Sequence, residues 1–472
     1  MGIPAGVPAD IAADIAPDIV GVVLVGGRGE RARPITVKAR GYLRSKAAMS
    51  FLGKRLVVWL LEGLRRQGVR EFFVIAQGKE NRYQTKTLVG HGDELGVNIR
   101  YSRVRHDRLN AGSADAMLRS LEYWDIESPA LIVPADSLYD FSLGPLLGAH
   151  LSRGALLTVA AMGRAPSEVA GKYGIMVLDA ESRVERFIEK PSLKELERQF
   201  AGAAGGAEVP GVPGGVPGGV PATLMTNAGM YLMDSAAMRK YAHEPELRRL
   251  RERRLDFGMD LLPWAVDRGL AIFAQPVENT GDLGTIADYI DTMVEVLRGG
   301  LGTMTELMGP PLDSERRIWI PPETLRFRDE VSGKSLEEKI EEGLVVVGNN
   351  VRLGRYVEVG PEVAIADSNV DDGVDLGAGA SVMRTAIRDG AIVGPAAVLS
   401  DSYVGSMAEI RSTVERPTYL ERYVAVGDEA VIAEGAFLAD RISIYPRLKI
   451  PASAAVPAGA EIRDAEDVLR CL

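Results

Sequence analysis

From Val347 onward an aliphatic residue followed by a small one returns at intervals of roughly six residues. Val347-Gly348, Leu353-Gly354, Val359-Gly360, Leu376-Gly377 and Val393-Gly394 carry the pattern, with Ile365-Ala366, Val382 and Leu399 in phase. That period marks a parallel β-helix, because a single turn cannot bury its apolar side alone and must stack on the next. The repeat is clear to about Val404 and looser from there to about Ile462, which predicts a β-helix domain over 346–472.

The chain before it reads differently. Ile19–Val25 is an unbroken apolar run ending in a glycine cluster, the pattern of a strand buried on both faces of a sheet. Glu71–Ala76, Ala130–Ala135 and Ala155–Ala161 are further strand candidates, and Val57–Arg66, Ser113–Trp124 and Leu143–Leu151 have helical spacing. The alternation predicts an α/β domain over 19–298: a Rossmann-like, mixed or parallel sheet with helices on both faces. Ligands of such sheets bind at the C-terminal ends of strands, so the loops after Val25, Ala76 and Ala135 are the ones to inspect. Within this domain 201–222 is Gly/Pro-rich and nearly uncharged, which predicts a mobile surface insertion. Residues 299–345 read as a connector and 1–18 as a tail.

Bulk properties narrow the function. A net charge of −10 argues against a protein that coats nucleic acid. The single cysteine, Cys471, excludes an internal disulfide framework and a cysteine-based zinc site, and the four histidines show no metal-ligand spacing. Met1 to Asp18 has no Lys or Arg and no unbroken apolar stretch, unlike a signal peptide, and no apolar run approaches the roughly 20 residues of a membrane span. A cytoplasmic protein without membrane partners is expected.

The strongest local signal is Val25-Gly26-Gly27-Arg28-Gly29-Glu30-Arg31-Ala32-Arg33-Pro34-Ile35-Thr36, directly after a buried strand. Gly26, Gly27 and Gly29 let backbone N–H groups approach phosphate oxygens closely. Arg31, and Lys46 further along a basic stretch, suit neutralisation of charge on a triphosphate. A plain turn with solvated arginines has the same composition. The loop is neither a Walker loop, since no Gly-Lys-Ser/Thr follows, nor the dinucleotide pattern, since Ala32 takes the place of its last glycine.

This segment resembles the G-G-x-G-T-R-L-x-P-L-T signature of sugar-phosphate nucleotidylyltransferases. Ser45–Lys54 is similar to the A-K-P-A-V-P-F-G-G-K stretch of the glucose-1-phosphate adenylyltransferase branch, and Gly112-Ser113-Ala114-Asp115-Ala116 to its G-T-A-D-A. Pro134–Tyr139, Lys172-Tyr173-Gly174 with Phe187–Pro191, Asp256–Asp260 and Asp282–Thr285 follow in the family's order, over roughly 19–298. The resemblance implies transfer of a nucleotidyl group from a nucleoside triphosphate to a sugar 1-phosphate, releasing pyrophosphate, with Mg²⁺ as cofactor. It implies a left-handed β-helix, and a homo-oligomer assembled through it. It makes Asp136 and Asp282 the Mg²⁺ ligands. Arg31 and Lys46 would hold the triphosphate, and Gly112, Ser113 and Gln77 the nucleotide. Gly174, Glu189, Lys190, Asn227 and Asp260 would hold the sugar phosphate. Each has a plainer reading: Asp282 as the N-cap of a helix over Gly284–Leu297, Asn227 and Asp260 as turn or cap residues, Lys190 in a surface ion pair.

The sequence departs from the family's pattern at Glu30 for the loop threonine, at Ala32 for the leucine, and at Ala47 and Ser50 for two prolines. A mannose-1-phosphate guanylyltransferase, a UTP- or dTTP-using enzyme, and a non-catalytic sugar-nucleotide-binding subunit are the alternatives. Hexapeptide coils also host acetyltransferases with a histidine base, but no histidine lies beyond His243, so the coil reads as serving assembly or regulation.

Overall fold

A computed structural model describes residues 19–27, 29–38, 42–103, 105, 110–200, 221–329 and 332–470. The tail at 1–18, Arg28, Cys471 and the insertion up to 220 lie outside the described residues. The chain divides into two compact units. One comprises the residues up to Gly26, Leu60–Ala135 and Tyr139–Thr280; the other comprises Gly27–Trp59, Asp136–Leu138 and everything from Gly281 on.

The first unit is built on a nine-stranded sheet. Its strands are β1 (Val20–Val25), β2 (Glu71–Ala76), β3 (Asn98–Tyr101), β4 (Ala130–Pro134), β5 (Leu157–Arg164), β6 (Ile175–Leu178), β7 (Val184–Ile188), β8 (Leu224–Met233) and β9 (Ile272–Pro276). The order is β7-β6-β8-β4-β1-β2-β3, with β5 joined to β8 and β9 to β5. β1 runs parallel to β2 and β4, and β2 to β3, while β8 is antiparallel to β4, β5 and β6. The parallel half explains the continuous apolar runs: Val22 and Val23 are both fully buried although they point to opposite faces. The loop after β1 and the loop after β4 leave the sheet side by side, since Val20 registers with Ala130 and Leu24 with Pro134.

Helix α1 spans Leu56–Arg66 and α2 spans Ser113–Trp124. On α2 the apolar residues Ala114, Met117, Leu118 and Leu121 fall on one face and are buried, the spacing that turns a helix onto a sheet.

The second unit carries the β-helix. Three parallel ladders of eight, seven and six short strands run along it. Val359 registers with Leu376, Leu376 with Val393 and Val393 with Ile410, so each coil advances by close to three hexapeptides. These inward aliphatics form one continuous core with Ile432 and Ile450. Burying each stabilises by about 1.5–3 kcal/mol relative to exposure. The small residue after each aliphatic has a steric cause: a Cβ on Gly377 would stand 2.6 Å from the backbone nitrogen of Pro395 in the next coil. The coils run on to Glu461–Ile462 and end in a helix, Ala465–Arg470. The connector resolves into short pieces, among them a helix at Leu336–Glu341 opened by a reciprocal cap between Ser335 and Glu338.

A second core of this unit joins the segment after the glycine loop to helix α3 (Ile286–Leu297). Met49, Phe51 and Trp59 pack with Tyr289, Ile290 and Met293, and with Tyr403 and Ala425 of the coil. Tyr289 donates its hydroxyl to the carbonyl of Ser50 (2.8 Å) and Trp59 its indole N–H to that of Phe51 (2.7 Å). The phosphate-loop candidate is therefore built into the same body as the coil.

Candidate active site

In the second unit the loop leaves β1 with Gly27 at φ +85° and Gly29 at φ +59°, followed by one 3₁₀ turn over Glu30–Ala32. Gly29 has no substitute: a Cβ there would meet the Thr36 side chain at 2.6 Å, and Thr36 Oγ1 donates to the Gly29 carbonyl at 2.6 Å. The turn presents Arg31. A cavity of about 460 Å³ opens beside it, lined by Gly27, Gly29, Glu30, Arg31, Lys46 and Gly284, a size that suits a small-molecule ligand.

Lys46 opens a second 3₁₀ turn, and its Nζ donates to Asp136 Oδ2 at 3.1 Å. Asp136 follows β4 by two residues and its carboxylate is one-third exposed. Asp282 reaches the same place through Gly284, whose N–H donates to Asp282 Oδ1 at 2.9 Å. A Cβ on Gly284 would stand 3.0 Å from that oxygen and 3.1 Å from Arg31 Nη2. Asp282 is not the helix cap: Thr285 fills that position, accepting the N–H of Asp288 at 3.1 Å. Arg31, Lys46 and Gly284 thus line one cavity, with Asp136 in contact with Lys46 and Asp282 in contact with Gly284. Carboxylates such as these suit Mg²⁺, which binds oxygen and keeps waters and substrate phosphates for its remaining positions. Among the described residues no cluster of three or more His, Cys, Asp or Glu forms a ready-made metal cage.

The first unit gathers the other candidates. Asp256 satisfies the start of α2: its Oδ1 accepts the Ser113 N–H (2.9 Å) and the Ser113 hydroxyl (3.2 Å). A Cβ on Gly112 would stand 2.5 Å from the Leu255 carbonyl and 2.7 Å from Asp256 Oδ1. Asp115, fully buried, holds this turn by accepting from Ala111 N–H, Arg119 and Arg251 at 2.7–2.8 Å. Gln77 lies against Gly26, its N–H donating to Val25.

Glu189 lies between two glycines: a Cβ on Gly174 or on Gly258 would stand 2.5 Å or 2.6 Å from its Oε2. Burial pushes its carboxyl above the usual range; Asp256 adds to that, and Lys190, at 3.7 Å, opposes it. Asn227 donates its N–H to the Gly174 carbonyl (2.8 Å) and its amide to Tyr231 (2.9 Å), whose ring stacks on Phe257 at 4.5 Å. Asp260 accepts from the Asp256 N–H (2.8 Å) and from Arg254, so it braces its own turn.

Sequence reasoning did not single out Asp256, Gly258 and Tyr231, which contact the candidates Ser113, Glu189 and Asn227. Asp256 and Gly258 stand in the same Asp256–Asp260 motif from which only Asp260 is singled out. The signal that separates them is a single π-helical turn over Phe257–Leu261, which turns Asp256 toward Ser113 and leaves Asp260 as the brace.

The model of the family described as nucleotidyl transferase matches residues 20–299, more than half of the chain. The chain belongs to the nucleotidyl transferase family. As such it is similar to a glucose-1-phosphate adenylyltransferase 2 of Alkalilimnicola ehrlichii, 28% identical over 75% of this chain and 81% of the relative. It is similar also to the glucose-1-phosphate adenylyltransferase of Methylococcus capsulatus, 26% identical over 81% of this chain and 88% of the relative. A third relative, the enzyme of that name from Dechloromonas aromatica, is 26% identical over 78% and 82%. These alignments are longer than the family match, so the likeness of this nucleotidyl transferase to its relatives does not stop at residue 299. Among the described residues, no helix is long and apolar enough to cross a membrane.

Proposed function

We propose that this nucleotidyl transferase joins ATP to glucose 1-phosphate, forming ADP-glucose and pyrophosphate. One observation carries the reading: a glycine-backed cavity lined by Arg31 and Lys46, with Asp136 bonded to Lys46 and Asp282 bonded to Gly284 of its wall. The names of the relatives select the base and the sugar. An oxygen of the sugar phosphate attacks the α-phosphorus in line, the bond from that phosphorus to the α–β bridging oxygen breaks, and pyrophosphate leaves. The nucleophile is already anionic, so no residue is asked to take a proton. Arg31 and Lys46 align the polyphosphate and offset the charge that grows on the leaving pyrophosphate. Mg²⁺, held by Asp136 and Asp282, supplies further charge neutralisation when bound. Glu189 accepts a sugar hydroxyl and Lys190 pairs with the sugar phosphate. Assembly through the β-helix belongs to the same reading, supported by exposed Met383, Tyr419 and Phe437 on one ladder.

Glu30 favours a second reading. Glu30 lines the cavity, with Arg33 at 3.8 Å from its carboxylate, and a negative charge there suits a subunit that binds sugar nucleotides without turning them over. Pyrophosphate release measured with ATP, UTP, dTTP and GTP against glucose 1-phosphate and mannose 1-phosphate separates the two. ATP with glucose 1-phosphate is expected to give the highest kcat/KM. Binding without release from any pair supports the second reading.

Glu189 adds a pH test. Its raised carboxyl protonates at a higher pH than an ordinary glutamate at about 4.3, and a protonated acid accepts a hydroxyl hydrogen bond poorly. KM for the sugar phosphate is therefore expected to climb on acidification before ordinary carboxylates titrate. In Glu189→Gln that acid limb disappears and KM is high throughout. An unchanged acid limb in the variant assigns the titration to another group.

A further inference from the structure

The segment between the two cavity cations is closed at its base by one buried arginine. Arg44 donates through Nη1 to the Ile35 carbonyl (3.0 Å) and through its main-chain N–H to the Thr36 carbonyl (2.8 Å). Thr36 in turn holds Gly29. Arg31 lies just before this closure and Lys46 just after it. The Arg44 guanidinium does not end there: Nη2 donates to Asp428 Oδ2 at 2.5 Å, across 384 residues of sequence. Asp428 stands at the corner after the coil strand Ala425–Val426, where its Oδ1 accepts the N–H of Ser406 at 3.1 Å. Both side chains are largely buried, 11% and 18% exposed.

A second anchor lies on the next coil of the same ladder, where Ser443–Ile444 pairs with Ala425–Val426. Tyr445, which follows it, lies beside Arg33, whose charge acts on its hydroxyl, and donates that hydroxyl to Glu461 at 2.7 Å. Arg33 follows Arg31 by two residues and lies 3.8 Å from Glu30. The loop is thus laid along one face of the coil, and the coil corner at Asp428 holds its base.

We propose that Arg44 and Asp428 are positioning residues for nucleotidyl transfer: through them the β-helix sets where Arg31 and Lys46 stand. The coil is then a working part of the nucleotide site, beyond any role in assembly. This rests on the reading of Arg31 and Lys46 as the cations that hold the polyphosphate. Neither Arg44 nor Asp428 lines the cavity, so each acts only by fixing the backbone that carries the two cations. A shift of that backbone by an ångström suffices for about a 10²-fold loss of rate.

The test uses the full-length chain and the variants Asp428→Asn, Asp428→Ala, Arg44→Lys, Arg44→Ala and the double alanine. Asp428→Asn keeps shape and folding while removing the charge. It is expected to lower kcat with the preferred triphosphate by about 10²-fold and to weaken equilibrium binding of that triphosphate, with KM for the sugar phosphate unchanged and the melting temperature within a few degrees. Arg44→Lys retains part of the activity lost in Arg44→Ala. The double alanine is no slower than the worse single, because the two act as one unit. The proposal is overturned if folded Asp428→Asn turns over and binds triphosphate like the wild type, or if melting temperature falls while kcat holds. A wild type that turns over beside an unaffected variant sinks this proposal alone. A wild type that neither binds nor turns over any triphosphate sinks the reading beneath it as well.

Discussion

Asp136→Ala is expected to abolish turnover while leaving the protein folded. Asp136 is the carboxylate that Lys46 contacts at 3.1 Å, and it is one of the two that would hold the metal. Its loss removes a cation's anchor and releases Lys46 from its position at the cavity in a single step. A metal-held charge contributes several kcal/mol to such a transition state; about 4 kcal/mol corresponds to about 10³ in rate. The cost in stability is far smaller. The Asp136 carboxylate is one-third exposed, so the pair is screened by solvent and Lys46 can rotate toward water. Asp136→Asn separates charge from shape: it keeps an oxygen that can accept from Lys46 but not the charge that holds a divalent ion, and is expected to lose nearly as much rate. Steady-state kcat beside a thermal melt decides the matter. A fall in melting temperature that accounts for all the lost activity would make Asp136 a structural residue.

That prediction rests on a part of the molecule that was legible from the residues. Val20–Val25 had to be buried on both faces, because no polar residue interrupts it, and a loop leaving such a strand is the one to inspect for ligands. Ser113–Trp124 is a helix from the first residue to the last expected, because its apolar spacing and the glycine before it agree. The coil was legible where small residues follow aliphatics, since each small position lies under the backbone of the next coil. It loosens after Val404 for a local reason. Residues 411–418 are an excursion between the strands Glu409–Ile410 and Tyr419–Leu420, which breaks the spacing while leaving the stack intact.

What could not be read is what depends on distance in sequence. Nothing near Arg44 announces Asp428, and nothing in 27–59 announces that this segment packs with Tyr403 and Ala425 of the coil. That Asp256 meets Ser113 while Asp260 accepts from Asp256 and Arg254 turns on one extra residue in a helical turn, which periodicity over a short motif does not register. Asp282 offered two roles to a reader of the sequence, and the observed cap at Thr285 leaves its carboxylate facing Gly284.

The other large effect belongs to stability. Asp371→Ala is expected to cost about 3–5 kcal/mol, the penalty for leaving a buried charge without its partner. Asp371 and Arg388 form an ion pair in which the side chains are 1% and 2% exposed, inside the body that carries the coil. Asp371 also accepts from Arg352 Nη1 at 2.9 Å and from the Asn369 amide at 3.2 Å. Burial pushes Arg352 down to about 10, and the neighbouring Arg388 charge acts in the same direction. Removing the carboxylate therefore leaves Arg388, itself 2% exposed, with Asp389 at 3.1 Å as its remaining carboxylate, and Arg352 with the Asn369 side-chain oxygen at 2.8 Å. Asp371→Asn keeps the volume and an acceptor, so it is expected to recover part of the loss. Replacing both members by apolar residues of matching volume is expected to restore stability to near the wild type, because it removes the desolvation cost together with the attraction. Urea unfolding midpoints of the three variants test this ordering. A midpoint for Asp371→Ala equal to that of the wild type would mean that Asp389, already 3.1 Å from Arg388, compensates that charge alone.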